Sequence, residues 1–444
     1  MLLRRFSRKA ACRMFSSSAT QAGSEGNRAM SASAAAQASH MAAKPIDITA
    51  QPVLTMKNLG EDVPIPSVKS FNPPIRLLCG PGPGNAHPRV YSAMSLPQVG
   101  HLDPYFLEMM EDIKSLLRYS FQTNNSFTIP VSGTGSAAME ACVANMIEPG
   151  DVFLIGCNGY FGKRLVDMGK RYGAVPVTMD RPWGQVFTYE EIKEAIEKHK
   201  PKVLALVHAE TSTGACQPFD GVGELCRKHG VLLIADCVTS ISGVPLYLDK
   251  WGVDAAYAGT QKALSCPPGV APLSFSDRAM DKLMNRKTDV ANWYLDMRMV
   301  ASYIGSNTGG ARSYHHTAPI SMCYALREAL EIVREEGLEN RWKKHRDAAE
   351  MFWSGLQEMG LEPLVAYEHR LPTLTTIKVP QGIDPKQVTN FVLHKYGIEI
   401  GNGLGELSGK VWRVGLMGVN ATPLIAMTVL SAMKDALRQQ GYKC

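Results

Sequence analysis

The sequence predicts an α/β protein, with a large domain on a mostly parallel sheet flanked by helices and a smaller C-terminal α/β domain. Three observations predict it. Short runs that read apolar on both faces recur between residues 127 and 258, segments with helical spacing lie between them, and near Met322 the texture changes to long, charged helical stretches. Strands apolar on both faces and interleaved with helices mark a parallel sheet covered on both sides. A chain of 444 residues is long for one compact domain.

Residues 1–45 are rich in Ala, Ser and Arg and read as a disordered targeting leader; residues 46–75, punctuated by Pro, read as an extended arm. Among residues 1–44, Arg4, Arg5, Arg8, Lys9, Arg13, Arg28 and Lys44 face only Glu25, which accounts for the whole formal charge of +6. The rest of the chain is formally neutral, which argues against a basic groove for nucleic acid. Leu2, Leu3, Phe6, Cys12 and Phe15 can share one face of a helix with arginines on the other. Arg13-Met14-Phe15-Ser16 resembles a mitochondrial processing site cut after Phe15, so the expectation is a matrix protein with a cleavable presequence; a plain disordered tail is the competing reading. Tyr442-Lys443-Cys444 does not match the Ser-Lys-Leu peroxisomal address. No run of about 18 apolar residues occurs, so no membrane span is expected.

The folded part is expected to start near Ile75-Arg76-Leu77-Leu78. Buried strands are predicted at Phe127–Val131, Val152–Ile155, Val203–Val207, Val231–Ile234 and Ala255–Ala258, the first made less secure by Pro130. Helices are predicted at 189–198 and 221–229, then over 322–359 with a break at Gly337. Strands at 373–379, 398–400 and 411–416 and helices at 384–395 and 423–439 complete a second unit. The domains are therefore read as 76–336 and 337–444. Ten cysteines are scattered without C-x-x-C or zinc-type spacing and read as small core residues in a reducing compartment. No metal is expected.

The strongest chemical pattern joins Asp236, at the end of one predicted strand, to Lys262, just past the next. In open parallel sheets ligands meet the carboxyl ends of strands. An acid and an amine side by side there suit a pyridine aldehyde: the carboxylate holds the ring nitrogen protonated, and the lysine forms a Schiff base and then moves a proton. A structural ion pair is the competing reading of the same two residues. Ser132-Gly133-Thr134-Gly135-Ser136, running into a helix, is a plausible phosphate cradle. It also mimics a dinucleotide fingerprint, but the following strand ends in Gly156-Cys157-Asn158 without the acid that fingerprint needs, which favours a single phosphate. Glu210-Thr211-Ser212-Thr213-Gly214 follows another strand end, with an ordinary polar turn as its alternative. Arg413 lies on the strand face opposite Trp412 and Val414 and suits a substrate carboxylate, or else a rim salt bridge. His315-His316 invites a metal reading, which adjacent positions on opposite strand faces and the lack of nearby carboxylates argue against. Cys266 runs straight into Pro267-Pro268 and reads as a turn.

Together these segments resemble the class V, fold-type I pyridoxal-phosphate aminotransferases, over about Leu77 to Leu437. The motifs are Gly80-Pro81-Gly82-Pro83, Ser132-Gly133-Thr134-Gly135, His208-x-Glu210-x-Ser212-Thr213-Gly214, Gly259-x-Gln261-Lys262-Ala263-Leu264, Tyr314-His315-His316-Thr317 and Arg413-x-Gly415-Leu416. The resemblance implies pyridoxal 5'-phosphate as cofactor, Lys262 and Asp236 as catalytic residues, and Thr134, Gly135, Ser136 and Gln261 around the cofactor, largely at its phosphate. It places Phe161, Thr211 and Val238 beside the ring. Tyr314 and Thr317 would reach the phosphate of a neighbouring subunit, making a homodimer with shared sites. Arg413 would clamp the substrate carboxylate, with Gly82 and the rest of the Gly80–Asn85 segment on the substrate side. Ser136 and Phe161 stand where a close relative within the family carries His and Trp. The implied substrates are a small amino acid, alanine or serine, and a 2-oxo acid, glyoxylate or pyruvate, and no obvious second arginine awaits a side-chain carboxylate. Two rivals remain: a pyridoxal-phosphate lyase such as a cysteine desulfurase, and a nicotinamide dehydrogenase built on the Gly133 loop.

Overall fold

Leu232–Asp236 and Val203–Val207 are buried along their whole length, which only the inside of a covered sheet allows. In the computed structural model, which describes residues 66–304 and 313–444, they lie at the middle of a seven-stranded sheet. Its order is Phe127–Ser132, Val270–Phe275, Ala255–Tyr257, Leu232–Asp236, Val203–Val207, Val152–Cys157, Val175–Asp180. Only Val270–Phe275 runs against the others, pairing antiparallel with both neighbours. The leader over 1–45 and most of the arm over 46–75 lie outside the described residues, as do residues 305–312. Of the residues up to Pro73, 66–73 carry no regular structure and are exposed; every helix and strand among the described residues belongs to the unit Pro74–Cys444.

Pro130 is tolerated because its strand is at the sheet edge. Several elements escaped the sequence reading, three of which are instructive. Val175–Asp180 is a half-exposed edge strand containing Pro176, and Val270–Phe275 contains Pro272. Helix Pro104–Phe121 carries clear signals: Asp103 caps it, Pro104 occupies its first turn, and Phe106, Met109, Met110, Ile113, Leu116 and Leu117 form its buried face.

Two apolar clusters organise the unit. The larger packs both faces of the sheet. The smaller joins Phe352, Trp353 and Leu356 of helix Leu338–Glu358 to Trp412 and Val414 and to Val429, Met433 and Leu437 of helix Pro423–Gln439. Helices Ile320–Glu336 and Leu338–Glu358 part at Gly337, whose φ of +78° suits glycine. Strand Val411–Gly415 lies between Leu374–Lys378 and Gly401–Asn402 in a three-stranded antiparallel sheet. The predicted 398–400 strand is divided: Ile398–Glu399 pairs parallel with Leu77–Leu78, and the next strand starts at Gly401. The chain after Leu78 then crosses between the clusters. Cys79 O accepts from Gly415 N–H at 2.9 Å, and Gly84 N–H donates to Gln261 O at 2.8 Å.

Candidate active site

Six strands that run the same way bring their carboxyl ends to one edge of the sheet, and the loops leaving those ends carry most of the residues singled out above. Asp236 is the last residue of its strand and lies opposite Tyr257 in the neighbouring one. That register lets the Tyr257 hydroxyl donate to Asp236 Oδ2 at 2.8 Å, while Val238 N–H donates to Oδ1 at 2.9 Å. Burial pushes the Asp236 carboxyl up to about 6; the two donors and the charges of Arg164 and Lys262 pull it back down.

Lys262 follows the Ala255–Tyr257 strand and is only 7 % exposed. Its ammonium donates to Pro81 O. Burial brings it down to about 8, Arg413 acts in the same direction, and Asp236 opposes both. The acid and the amine therefore share one edge and one electrostatic field. A Cβ on Gly82, whose φ is +118°, would overlap the Lys262 side chain.

Helix Gly135–Met146 begins at Thr134, whose side chain makes no capping bond. The N–H groups of Gly135 and Ser136 have no protein partner among the described residues, as expected of a first helical turn awaiting an acceptor. Gly133 has a φ of +143° and no room for a Cβ, which would strike Ala137. Gln261 sits nearby with its amide oxygen buried and unpartnered. Thr211 is buried, its hydroxyl bonded to Thr239, and Val238 lies against Gly135.

Phe161 belongs to helix Tyr160–Arg171, which is capped from outside. Tyr160 N–H donates to Ser212 Oγ at 2.9 Å and Phe161 N–H to Glu210 Oε2 at 3.2 Å. Glu210 also accepts from the Ser212 N–H and hydroxyl, and burial pushes it up to about 7. This capping role, and that of Tyr257, escaped the sequence reading because both depend on which strands become neighbours. Arg164, one turn beyond Phe161, reaches the same edge, its Nη1 3.2 Å from Ser136 Oγ, and the sequence reading did not single it out.

Arg413 comes from the smaller cluster. Its Nε donates to Asn402 O at 2.9 Å and Nη1 to Thr211 O at 3.3 Å, which leaves Nη2 without a protein partner among the described residues. Burial lowers its pKa, Glu210 opposes that, and an arginine stays charged at neutral pH. Tyr314 and Thr317 are exposed, with hydroxyls 3.4 Å apart, and no hydrogen bond joins them to the Thr134–Ser136 loop of the same chain. The adjacent His316 does reach the loop's base, Nε2 lying 2.7 Å from Ser132 Oγ.

These residues fit pyridoxal phosphate. Open N–H groups and hydroxyls stand ready for a phosphate, a buried acid for a ring nitrogen, a buried amine for an aldehyde, and a free guanidinium edge for a carboxylate. Among the described residues no group of His, Cys, Asp and Glu is arranged to hold a metal, and no helix is long and apolar enough to cross a membrane.

The chain matches the family model described as aminotransferase class-V over residues 88–415. The alanine–glyoxylate aminotransferase of Callithrix jacchus is 44 % identical over 372 residues, covering 84 % of this chain and 90 % of that one. The crystal structure of alanine–glyoxylate aminotransferase from Nostoc sp. superposes with a TM-score of 0.82 at 56 % identity, over 84 % of this chain and 98 % of that one. The ureidoglycine–glyoxylate aminotransferase structure from Bacillus subtilis also gives 0.82, at 38 % identity, over 84 % of this chain and 95 % of that one.

Proposed function

The chain belongs to the class-V aminotransferase family, and from that premise we propose that it moves an amino group from alanine or serine to glyoxylate or pyruvate, using pyridoxal 5'-phosphate. The observation that carries this reading is the buried pair Asp236 and Lys262, whose ordinary pKa values are shifted toward neutrality from opposite sides. When bound, the cofactor supplies an aldehyde to take up the amino group and a ring that withdraws electrons from the substrate carbon.

The chain's own residues do the rest. Asp236, ionised above about pH 6, stabilises a proton on the ring nitrogen. Tyr257 and Val238 hold that carboxylate in place. Arg413 offers Nη2 to the substrate carboxylate and is steadied by Asn402 and Thr211. Lys262, with a pKa near 8, has a substantial neutral fraction at physiological pH and can take the α-proton and return it. Gly82 leaves room for that side chain to swing. Thr134, Ser136 and the N–H groups of Gly135 and Ser136 hold the phosphate, with Gln261 beside them.

We further propose a homodimer in which Tyr314 and Thr317 complete the partner's phosphate site. This reading is supported by their exposure and by the link from His316 to Ser132. For location we propose the mitochondrial matrix, on the strength of the basic, Ser- and Ala-rich head, to be tested by import into isolated mitochondria followed by N-terminal sequencing.

The deciding experiment is a substrate matrix on purified enzyme, with alanine, serine and ureidoglycine as donors, glyoxylate and pyruvate as acceptors, and Lys262→Ala as control. The expectation is ping-pong kinetics and a yellow band bleached by borohydride. Comparable rates with every donor would remove the proposed specificity. A cysteine-desulfurase activity has little to work with: Cys79, nearest the Gly80–Asn85 segment, is fully buried and burial pushes its thiol up to about 12.

A further inference from the structure

A phosphate monoester carries a charge of about −1.5 to −2 at neutral pH. The Thr134–Ser136 segment meets it with neutral donors only: two hydroxyls and the N–H groups of a helix start, equivalent to roughly half a positive charge. The cations nearest at hand are otherwise engaged or absent. Lys262 is turned to Pro81 O. Lys163 is paired with Glu406. His316, which touches the base of the loop, is held neutral by burial, its pKa lowered to about 4.

Arg164 is different. Its Nη1 donates to Ser136 Oγ at 3.2 Å, at the second residue of the helix whose first N–H groups are open. Its guanidinium lies 4.7 Å from the centre of the Phe161 ring and 5.4 Å from that of Tyr160. Among the described residues no carboxylate pairs with it. The backbone of Phe161 is in turn held by Glu210. Arg164 is thus placed by an aromatic stack on one side and by a cradle hydroxyl on the other, and its charge reaches as far as the Asp236 carboxyl.

We propose that Arg164 is a phosphate-binding residue, the cation that answers the phosphate charge of the cofactor at the Ser136 end of the cradle. The proposal rests on the pyridoxal-phosphate reading above and adds to it a residue and a specificity. The chain selects the phosphorylated form of pyridoxal through Arg164, because a planar guanidinium fork matches phosphate oxygens and an aldehyde ring alone gives it nothing to hold.

The test is equilibrium binding to the apoenzyme, followed by visible absorption, of pyridoxal 5'-phosphate and of pyridoxal, for wild type, Arg164→Ala, Arg164→Gln and Arg164→Lys. Loss of one charge-assisted contact should weaken pyridoxal phosphate by about 10- to 100-fold in the Ala and Gln variants, and less in Lys. Pyridoxal itself should bind all four proteins within about twofold, and inorganic phosphate should compete with pyridoxal phosphate more weakly in the Ala variant. Equal loss for both ligands would overturn the proposal, since Arg164 would then be acting through the Phe161 ring. So would unchanged affinity for pyridoxal phosphate together with a raised KM for dicarboxylic amino acids, which would make Arg164 a substrate residue. If the Ala variant melts early, Gln and Lys, which keep the stem, decide. Failure of the wild type to bind pyridoxal phosphate would instead sink the underlying functional reading.

Discussion

At the scale of single residues, one cause acts on Asp236, Glu210 and Lys262 alike: burial disfavours their charged forms. The reaction needs Asp236 ionised and, once the substrate has displaced it from the cofactor, Lys262 neutral, so kcat should rise with pH from about 6 to about 8. Tyr257→Phe removes a donor that lowers the Asp236 pKa, so its acid limb should move to higher pH; a pH–rate profile shifted downward would contradict the assigned contact. Lys262→Ala should lose about 10²- to 10⁴-fold in turnover while still holding the cofactor non-covalently, as judged by dialysis and absorption. Glu210 gives a stability prediction. Its folded pKa of about 7 lies above the ordinary 4.5, so it contributes stability that is present below pH 4.5 and is lost as pH rises through 7. Asp236 acts in the same sense. In the apoenzyme, Glu210→Gln should flatten the fall in unfolding free energy over that window by up to ~3 kcal/mol, read from urea titrations at several pH values.

At the scale of elements, helix Tyr160–Arg171 shows how a site is tensioned from a distance. Its N-cap position is Gly159, which offers no side chain, and the first two N–H groups are met by Ser212 and Glu210 from another loop. Ser212→Ala should cost about 1 kcal/mol in unfolding free energy, the ordinary value of a lost cap. Because Phe161 rides on this helix, the same variant should also disturb the near-ultraviolet circular dichroism of the bound cofactor. A normal cofactor signal with normal stability would show that the cap is idle. Gly159 itself has no alternative, since a Cβ there would run into the Glu210 side chain.

At the scale of the whole molecule, the site draws on two apolar clusters: Lys262 and Asp236 come from the sheet, and Arg413 from the smaller antiparallel sheet. If a neighbouring subunit completes the phosphate site, complementation is the expected outcome. Chains carrying Lys262→Ala and chains carrying Tyr314→Ala with Thr317→Ala, each weak alone, should regain activity when refolded together. In each hybrid one site would combine an intact Lys262 with an intact Tyr314 and Thr317. Absence of recovery in a mixture shown by mass to contain hybrids would reject shared sites. Sedimentation should give a dimer.

The sequence by itself determined the fold class, the central strands, the break at Gly337 and helix 423–439, and it singled out the residues proposed to carry chemistry. These are local facts: burial on both faces appears as uninterrupted apolar runs, a positive φ selects glycine, and strand-end motifs sit next to one another in the chain. Tertiary structure alone decided which strand ends face each other. Tyr257 reaches Asp236 because of a pairing register, Ser212 and Glu210 cap a helix some fifty residues earlier, and Arg164 comes to lie beside Ser136. Val175–Asp180 and Val270–Phe275 belong there too, since an edge strand and a proline-containing strand take their form from their neighbours rather than from their own residue pattern. Hydrogen bonds between distant segments leave no periodicity in a sequence, and that is the physical reason the supports of the candidate site were hidden while the strand-end motifs were legible.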